Sequence, residues 1–151
     1  MAGAADQVRL VSAEGTPTLV IAETTTWAAY PSLWGALLTE VWDVIHSDAV
    51  AAGRNVMCYL DDRPSVEVGA ELLAPFAGRG RVMPSALPTG RAAMTVDRGA
   101  PTAAGIAAAH ERALAWCAEQ GHPVSEVCWE IYSHHSDDTA AMYTEVYRLL
   151  R

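Results

Sequence analysis

The chain has 151 residues, 51% of them hydrophobic and 19% charged, with a formal net charge of -8 at pH 7. This length allows one domain with a sizeable core. The chain lacks the clustered cations that nucleic-acid binding requires. It has ten arginines and no lysine, which excludes lysine-dependent Schiff-base and phosphate-loop chemistry. No apolar run is long enough to cross a bilayer and the N-terminal residues do not resemble a secretory signal, so we expect a cytoplasmic protein with neither membrane nor nucleic acid as partner. Abundant alanine without lysine indicates a bacterial source.

The first half of the chain predicts strands, one long helix and two further strands. Pro31-Ser32 is typical of a helix start, and apolar residues from Leu33 to Ile45 recur with the helical period. The composition of Asp61-Asp62-Arg63-Pro64 is typical of a turn between strands. The predicted elements are strands at about 7–13 and 18–23, a helix from about 30 to 47, and strands at about 55–60 and 65–73.

The second half repeats this order. Ala100-Pro101-Thr102-Ala103 opens a helix that ends at Gly121. The last strands of the two halves both contain the dipeptide Glu-Val, at Glu67-Val68 and at Glu145-Val146. The predicted elements are a strand at 91–97, the second helix, strands at 124–133 and 142–150, and a candidate strand at 81–86.

This repetition predicts a single α+β domain, residues 1–151, made of two βαββ halves at about 7–77 and 80–151. Each unit has a helix over one sheet face and a second face that needs cover, so two units would pair their antiparallel sheets about a pseudo-twofold axis. We expect a ligand cleft between the halves.

The most informative strand is Cys128-Trp129-Glu130-Ile131-Tyr132, in which a carboxylate lies among aromatic and apolar residues. Strand alternation places Trp129 and Ile131 on a core face, and Cys128, Glu130 and Tyr132 on the other. One interpretation is that Glu130 is an ordinary solvated residue. The other is that Glu130 lines a pocket for a hydrophobic, cationic ligand.

The alternation of the neighbouring strands favours the interpretation of Glu130 as a pocket residue. If Val56 and Cys58 face the first helix, Met57 and Tyr59 face away from it, and the neighbouring strands add more aromatic and acidic residues to that surface. A merely solvated face would carry fewer tyrosines. The residues predicted to share the surface with Glu130 are Met57, Tyr59, Glu67, Glu71, Tyr132, Tyr143, Glu145 and Tyr147.

Over about residues 7 to 151 the chain resembles the GyrI-like small-molecule binding domain, which is also the effector-binding half of multidrug-sensing regulators such as BmrR and Rob. The resemblance rests on the tandem βαββ order, on Leu87-Pro88-Thr89-Gly90-Arg91, on Ala113-Leu114-Ala115-Trp116 before Gly121, and on Trp129-Glu130-Ile131-Tyr132. In the family an aromatic residue usually follows the position of Gly99, whereas this chain has Ala100-Pro101 there. Since the sequence has only six residues before Gln7 and none after Arg151, we expect a stand-alone domain without a helix-turn-helix.

The resemblance implies that Glu130 lies at the bottom of an aromatic cleft and contacts lipophilic, often cationic compounds. Trp27 and Tyr30, at a strand-to-helix turn, are well placed for such contact, while Trp34 fits either a core or a contact position and Trp42 is better explained as core. The predicted ligand-binding residues are Glu130, Tyr132, Tyr147, Tyr143, Tyr59, Met57, Glu67, Trp27, Tyr30 and Trp34.

Two functions need the same cleft. The first is binding of hydrophobic, aromatic, cationic small molecules. The alternative is a hydrolase that opens the cyclopropane rings of DNA-alkylating natural products, since some members of the family do so; Glu130 would activate water and Tyr132 or Tyr147 would stabilise the developing oxyanion. A third class, a protein inhibitor of gyrase, is suggested by the family name alone.

The remaining candidate sites are weaker. Three cysteines without paired spacing indicate reduced core thiols, and His134-His135-Ser136-Asp137-Asp138 is better explained as a solvated loop than as a metal site. His110 lacks the second histidine of a metalloprotease helix, so we interpret it as a partly buried helix residue. We expect no metal and no cofactor, and a monomer or a weak dimer.

Overall fold

The computed structural model describes residues 6 to 151. They form one antiparallel sheet of eight strands and two long helices, which confirms the predicted α+β class. Within these residues, neither helix is both long and apolar enough to cross a membrane. The elements are β1 (Arg9–Glu14), β2 (Pro17–Thr24), α1 (Tyr30–Ser47), β3 (Ala52–Tyr59), β4 (Ser65–Leu72), β5 (Met83–Ala86), β6 (Thr89–Arg98), α2 (Ala103–Gln120), β7 (Val124–Tyr132), a short 3-10 helix (Thr139–Ala141) and β8 (Tyr143–Leu150).

The strand order is β1-β6-β8-β7-β3-β4-β2-β5. The series β2-α1-β3-β4 and β6-α2-β7-β8 have the same order and meet where β3 pairs with β7, so that Met57 lies opposite Glu130. The edge strands are exchanged between the two series, since β1 pairs with β6 and β5 pairs with β2. The centre of the sheet is therefore the place where both halves contribute side chains to one surface.

Helix α1 follows the predicted apolar spacing. Pro31 occupies its first turn, where a missing N–H costs nothing. Leu37, Val41 and Ile45 recur at every fourth position and are almost completely buried against the sheet. Burial of each of these side chains contributes about 1.5–3 kcal/mol to folding.

Helix α2 packs against the sheet through smaller side chains than α1 does. The Thr102 hydroxyl accepts a hydrogen bond from the Gly105 amide at 3.0 Å and caps the first turn, as its composition predicted. The buried residues Ala109, Ala113 and Cys117 bring this helix close to β6 and β8. A larger side chain at Ala109 or Ala113, both fully buried, would push the helix away from the sheet.

Both helices lie on the same sheet face as Glu130, which contradicts the predicted orientation of β3. Met57 and Tyr59 do share a surface with Glu130, but they pack beneath α1 and do not face away from it. The error has a physical cause. Val56, Met57, Cys58 and Tyr59 are all buried, because β3 is a central strand covered on both faces, and an apolar run of this kind does not reveal which face lies under the helix.

The opposite sheet face has a core of its own around Trp129, which stacks on Tyr147 at 4.9 Å with an interplanar angle of 7°. The links between strands close this core. The Leu87 amide, between β5 and β6, donates to the Thr16 carbonyl, between β1 and β2, at 2.9 Å. Leu87 itself is buried with Val20 and Trp129. The two ends of the sheet thus come together over this face.

An arginine joins three strands at the edge of this second core. Arg54 on β3 donates to both oxygens of Glu71 on β4, at 2.9 and 3.1 Å, and to Glu145 and the Tyr143 hydroxyl on β8. Burial would raise the pKa of Glu71, but the hydrogen bonds from Arg54 outweigh it and lower that pKa. The folded protein therefore holds Glu71 as an ion.

Replacing Arg54 with methionine is expected to lower the free energy of unfolding by about 2 kcal/mol, because two half-buried carboxylates lose their counter-ion. Because the folded-state pKa of Glu71 is lowered, this contribution is present above its ordinary value of 4.5 and is lost as the pH falls through the folded value. Urea denaturation of Arg54→Met from pH 7 down to pH 3 measures both effects. The matched control is Arg63→Met, whose guanidinium is exposed beside Asp61, so that its loss should change the free energy of unfolding much less. Equal losses in the two variants would contradict the expectation.

Candidate functional site

A cavity of about 750 Å³ lies between the two helices, above the central strands β3 and β7. Its walls come from the N-terminal half of α1 on one side and from the N-terminal half of α2 on the other. Both halves of the chain therefore contribute to a single cavity, and the junction of β3 with β7 forms its floor.

Glu130 lies in the floor of this cavity with only 3% of its surface exposed. Strand alternation on β7 aims it at the helices, because Trp129 and Ile131 belong to the opposite core. Its Oε1 atom accepts hydrogen bonds from the Tyr59 hydroxyl at 3.0 Å and from the Tyr132 hydroxyl at 2.5 Å. The interpretation of Glu130 as a solvated surface residue is excluded.

The tyrosines around Glu130 remain protonated donors. Burial, followed by the charge of Glu130, raises the pKa of both Tyr59 and Tyr132 above the ordinary value for a phenol. Burial raises the pKa of Tyr30 as well; its hydroxyl lies 3.2 Å from that of Tyr59 and donates to the Met57 sulfur at 3.1 Å. A chain of neutral hydroxyls thus leads from α1 to the carboxylate.

His110 on α2 completes the surroundings of the carboxylate. Its Nε2 atom lies 2.7 Å from Glu130 Oε2, and 18% of the His110 side chain is exposed. Burial would lower the pKa of His110, but its interactions with Cys128 and Glu130 outweigh burial and raise the pKa to about 9. At neutral pH His110 is therefore an imidazolium that donates to the Glu130 side chain.

Aromatic rings form the upper part of the cavity. Trp27 is 52% exposed and Trp34 is 39% exposed, unusually high values for such large apolar side chains. The Trp27 ring lies 5.5 Å from the Tyr59 ring, and its Nε1 donates to the Asp62 carbonyl at 2.9 Å, which holds the indole in place. These rings offer open faces to a molecule in the cavity.

The charged groups lining the cavity are mostly acidic. Asp61, Asp62 and Glu126 lie on its walls in addition to Glu130. Apart from histidines, Arg148 is the one basic residue that lines the cavity among residues 6 to 151. Hydrogen bonds from Ser65 and Arg63 lower the pKa of Asp61, so it stays ionised throughout the neutral range. The field at the mouth therefore attracts cations and repels anions.

The structure brings seven of the ten predicted ligand-binding residues to this cavity. Glu130 and Tyr132 come from β7, and Trp34 proves to be a lining residue instead of core. Trp42 is half-buried and its Nε1 donates to Asn55 at 2.7 Å, in line with its predicted packing role. The seven residues are Trp27, Tyr30, Trp34, Met57, Tyr59, Glu130 and Tyr132.

The other three predicted residues lie on the opposite sheet face. In the register of β7 and β8, Val146 is opposite Glu130, which turns Tyr143 and Tyr147 away from the cavity. Glu67 also points to the far side, where its carboxylate accepts from the Ser85 hydroxyl at 2.6 Å. The prediction failed because it placed the face of Glu130 away from the helices, whereas Glu130 lies beneath them together with Val146. A catalytic role for Tyr147 beside Glu130 is thus excluded by position.

Sequence reasoning missed the most consequential neighbour of Glu130, which is His110. Its signal was present in the sequence, since the residue lies on the same helical face as the buried Ala109 and Ala113, where an ionisable side chain needs a partner. The loop that contains His134 and His135 is largely exposed, and the closest His135–Asp137 approach is 3.6 Å. Across residues 6 to 151, no three potential ligand side chains converge on a common metal position.

Comparisons with known proteins place the fold. Neither a scan against protein-family models nor a search of curated proteins found a match. Among solved structures, the EcmrR C-terminal domain is similar, with a TM-score of 0.76, 13% identity, and coverage of 97% of this chain and 98% of that one. SAV2435 bound to tetraphenylphosphonium gives a TM-score of 0.67 and 12% identity over 96% of this chain and 94% of that one.

A hydrolase from Listeria innocua gives a TM-score of 0.64 with 8% identity, covering 99% of this chain and 94% of that one. At these identities the likeness concerns the fold. The chain thus has the fold of the GyrI-like small-molecule binding domain, and the resemblance drawn from the sequence is confirmed at that level.

Proposed function

We propose that the cavity binds lipophilic, aromatic, singly charged cations. The observation that carries this proposal is the position of Glu130, a carboxylate buried in the floor of an aromatic cavity that is open toward solvent through Trp27 and Trp34. A carboxylate in such surroundings is stabilised by a cation, because desolvation otherwise disfavours its charge.

The dimensions of the cavity suit a compact ligand. Its volume of about 750 Å³ lies in the range that holds drug-sized molecules, which is roughly 300–1,000 Å³. The lining is mainly apolar, with the polar atoms concentrated at Glu130 and its partners. Such a site selects by size, apolar surface and charge more than by directional hydrogen bonds.

Two further features favour a positive charge. The open faces of Trp27 and Trp34 carry the negative part of the aromatic quadrupole, which attracts cations by about 0.5–2 kcal/mol for each well-placed ring. The acidic residues Asp61, Asp62 and Glu126 add a favourable field at the walls. The same fold in SAV2435, which was solved with tetraphenylphosphonium, supports this ligand class.

Titration with two probes of the same shape and opposite charge tests the proposal. Tetraphenylphosphonium is expected to quench the fluorescence of Trp27 and Trp34 with a one-to-one stoichiometry. Tetraphenylborate, which has four similar rings around a negative centre, is expected to bind about 100-fold more weakly or not at all. Equal affinity for the two probes, or quenching by neither, would contradict cation binding.

The hydrolase alternative is favoured by one observation, the 2.7 Å contact that places an acid–base pair, His110 and Glu130, inside a ligand-sized cavity. Tyr132 keeps its proposed role as hydrogen-bond donor, whereas Tyr147 does not. Incubation with an alkylating cyclopropane substrate distinguishes the two functions. Multiple turnovers that disappear in Glu130→Gln would establish the enzyme, and stoichiometric quenching without product would establish the binder.

A further inference from the structure

The carboxylate of Glu130 already has a cation beside it before any ligand arrives. Oε1 accepts from Tyr59 and Tyr132, and Oε2 is taken by the His110 imidazole at 2.7 Å. Within residues 6 to 151, His110 provides the sole basic nitrogen bonded to this carboxylate. A ligand therefore meets a nearly neutral pair and not a bare negative charge.

We infer that His110 is a resident counter-ion that gives up its proton to solvent when a lipophilic cation binds, so that each binding event exchanges one positive charge for another. The inference rests on the proposed function of the cavity. It assigns to His110 a specificity-determining role at this site.

The exchange follows from the geometry. His110 and Glu130 both line the cavity, so a cation that approaches the carboxylate also approaches the imidazolium. Two positive charges near one buried carboxylate repel each other strongly in a poorly screened environment. Among basic side chains, histidine sheds its proton in the neutral to mildly alkaline range, whereas an arginine at this position would stay charged and exclude the ligand.

The groups that face His110 leave Glu130 as its principal electrostatic partner. From β7 it meets Cys128 and Glu130. From β3 it meets the edge of the Tyr59 ring, 6.5 Å between centroids, and that phenol is neutral. Tyr30 of α1 and Tyr132 reach it through the same hydroxyl network, and both are neutral. Arg148 of β8 lines the cavity and donates to the Ser125 carbonyl at 3.3 Å.

The expected signature is an affinity for cations that rises with pH. Because the pKa of His110 in the free protein is about 9, nearly all molecules carry its proton at pH 7. Binding that requires its loss strengthens by about tenfold for each pH unit between roughly 7 and 9, and then levels off. Ligand binding at pH 7 should release about one proton.

Calorimetric titration with tetraphenylphosphonium chloride tests this in buffers of equal pH and different ionisation enthalpy. For the wild type we expect about one proton released at pH 7. His110→Gln should release none, lose the pH dependence, and bind up to about 100-fold more tightly at pH 7, since the cost of deprotonation is gone. The matched control is His46→Gln, at an exposed position on α1, which should behave as the wild type.

A second measurement on the unmodified protein guards against misfolding of the variant. The ring signals of His110 in NMR spectra should change from imidazolium to neutral imidazole when tetraphenylphosphonium is added at pH 7. Tight binding without proton release, or a His110 ring that stays charged in the complex, would overturn the inference while the proposed function stands. Absence of binding at every pH from about 6 to 9.5 would instead overturn the proposed function and the inference with it.

Discussion

Replacing Glu130 with glutamine is expected to weaken tetraphenylphosphonium binding by about 100-fold at pH 9, which corresponds to about 2.7 kcal/mol. At this pH half or more of the competing His110 charge is gone, so the attraction of the carboxylate for the ligand is measured most directly. The substitution removes the negative charge while it preserves side-chain volume. Fluorescence or calorimetric titration of the two proteins gives the ratio of affinities.

The structure offers a matched control on a neighbouring strand. Glu67→Gln makes the same chemical change at a half-buried glutamate, but its side chain lies on the opposite sheet face and accepts from Ser85. Its affinity for tetraphenylphosphonium should equal that of the wild type. A Glu130→Gln protein that keeps full affinity, or a Glu67→Gln protein that loses it, would show that the cation is bound elsewhere. Thermal melting of both variants verifies that each is folded.

Replacing Gly69 with alanine is expected to lower the free energy of unfolding by about 3–5 kcal/mol, among the largest effects of a single methyl group. A β-carbon at Gly69 would lie 1.9 Å from the Leu19 carbonyl oxygen and 2.8 Å from the Val20 α-carbon. Both obstacles are backbone atoms of β2, the strand paired with β4 at this point. They cannot rotate away, so the two strands would have to separate and the ladder between them would break.

Gly35→Ala is the matched control for this substitution. Gly35 lies inside α1 and a β-carbon there meets nothing within 4 Å. Alanine at this position should raise the free energy of unfolding by about 0.5–1 kcal/mol, because glycine is a poor helix former. Urea denaturation of both variants compares the same chemical change at two positions. Similar stability for the two proteins would mean that β2 and β4 are not paired as described.

The sequence predicted the central residue of the candidate site more accurately than the residues that surround it. The alternation of Cys128, Glu130 and Tyr132 was sufficient to separate them from Trp129, because a charged residue and a tryptophan on adjacent strand positions must take opposite faces. Trp27 and Tyr30 were placed correctly by their position at a strand-to-helix turn. The parts of the site that were predicted correctly could therefore be recognised from local sequence patterns alone.

The errors came from strands buried on both faces. For β3 and β7 both sides are buried, so alternation alone does not tell which side meets a helix. His110 was missed for a different reason. Its partner Glu130 comes from another element of the chain, and an ion pair of this kind becomes visible only when the packing of α2 on the sheet is known.

The exchange of edge strands has a consequence for how the chain folds. Arg9 at one terminus pairs with Met94 beyond the middle of the chain, and Pro17 pairs with Ala86. The edge strand that precedes each βαββ series in the chain thus pairs with the other series. Either half alone would be left with unpaired backbone amides along one edge of its sheet, so we expect neither half of the chain to fold without the other.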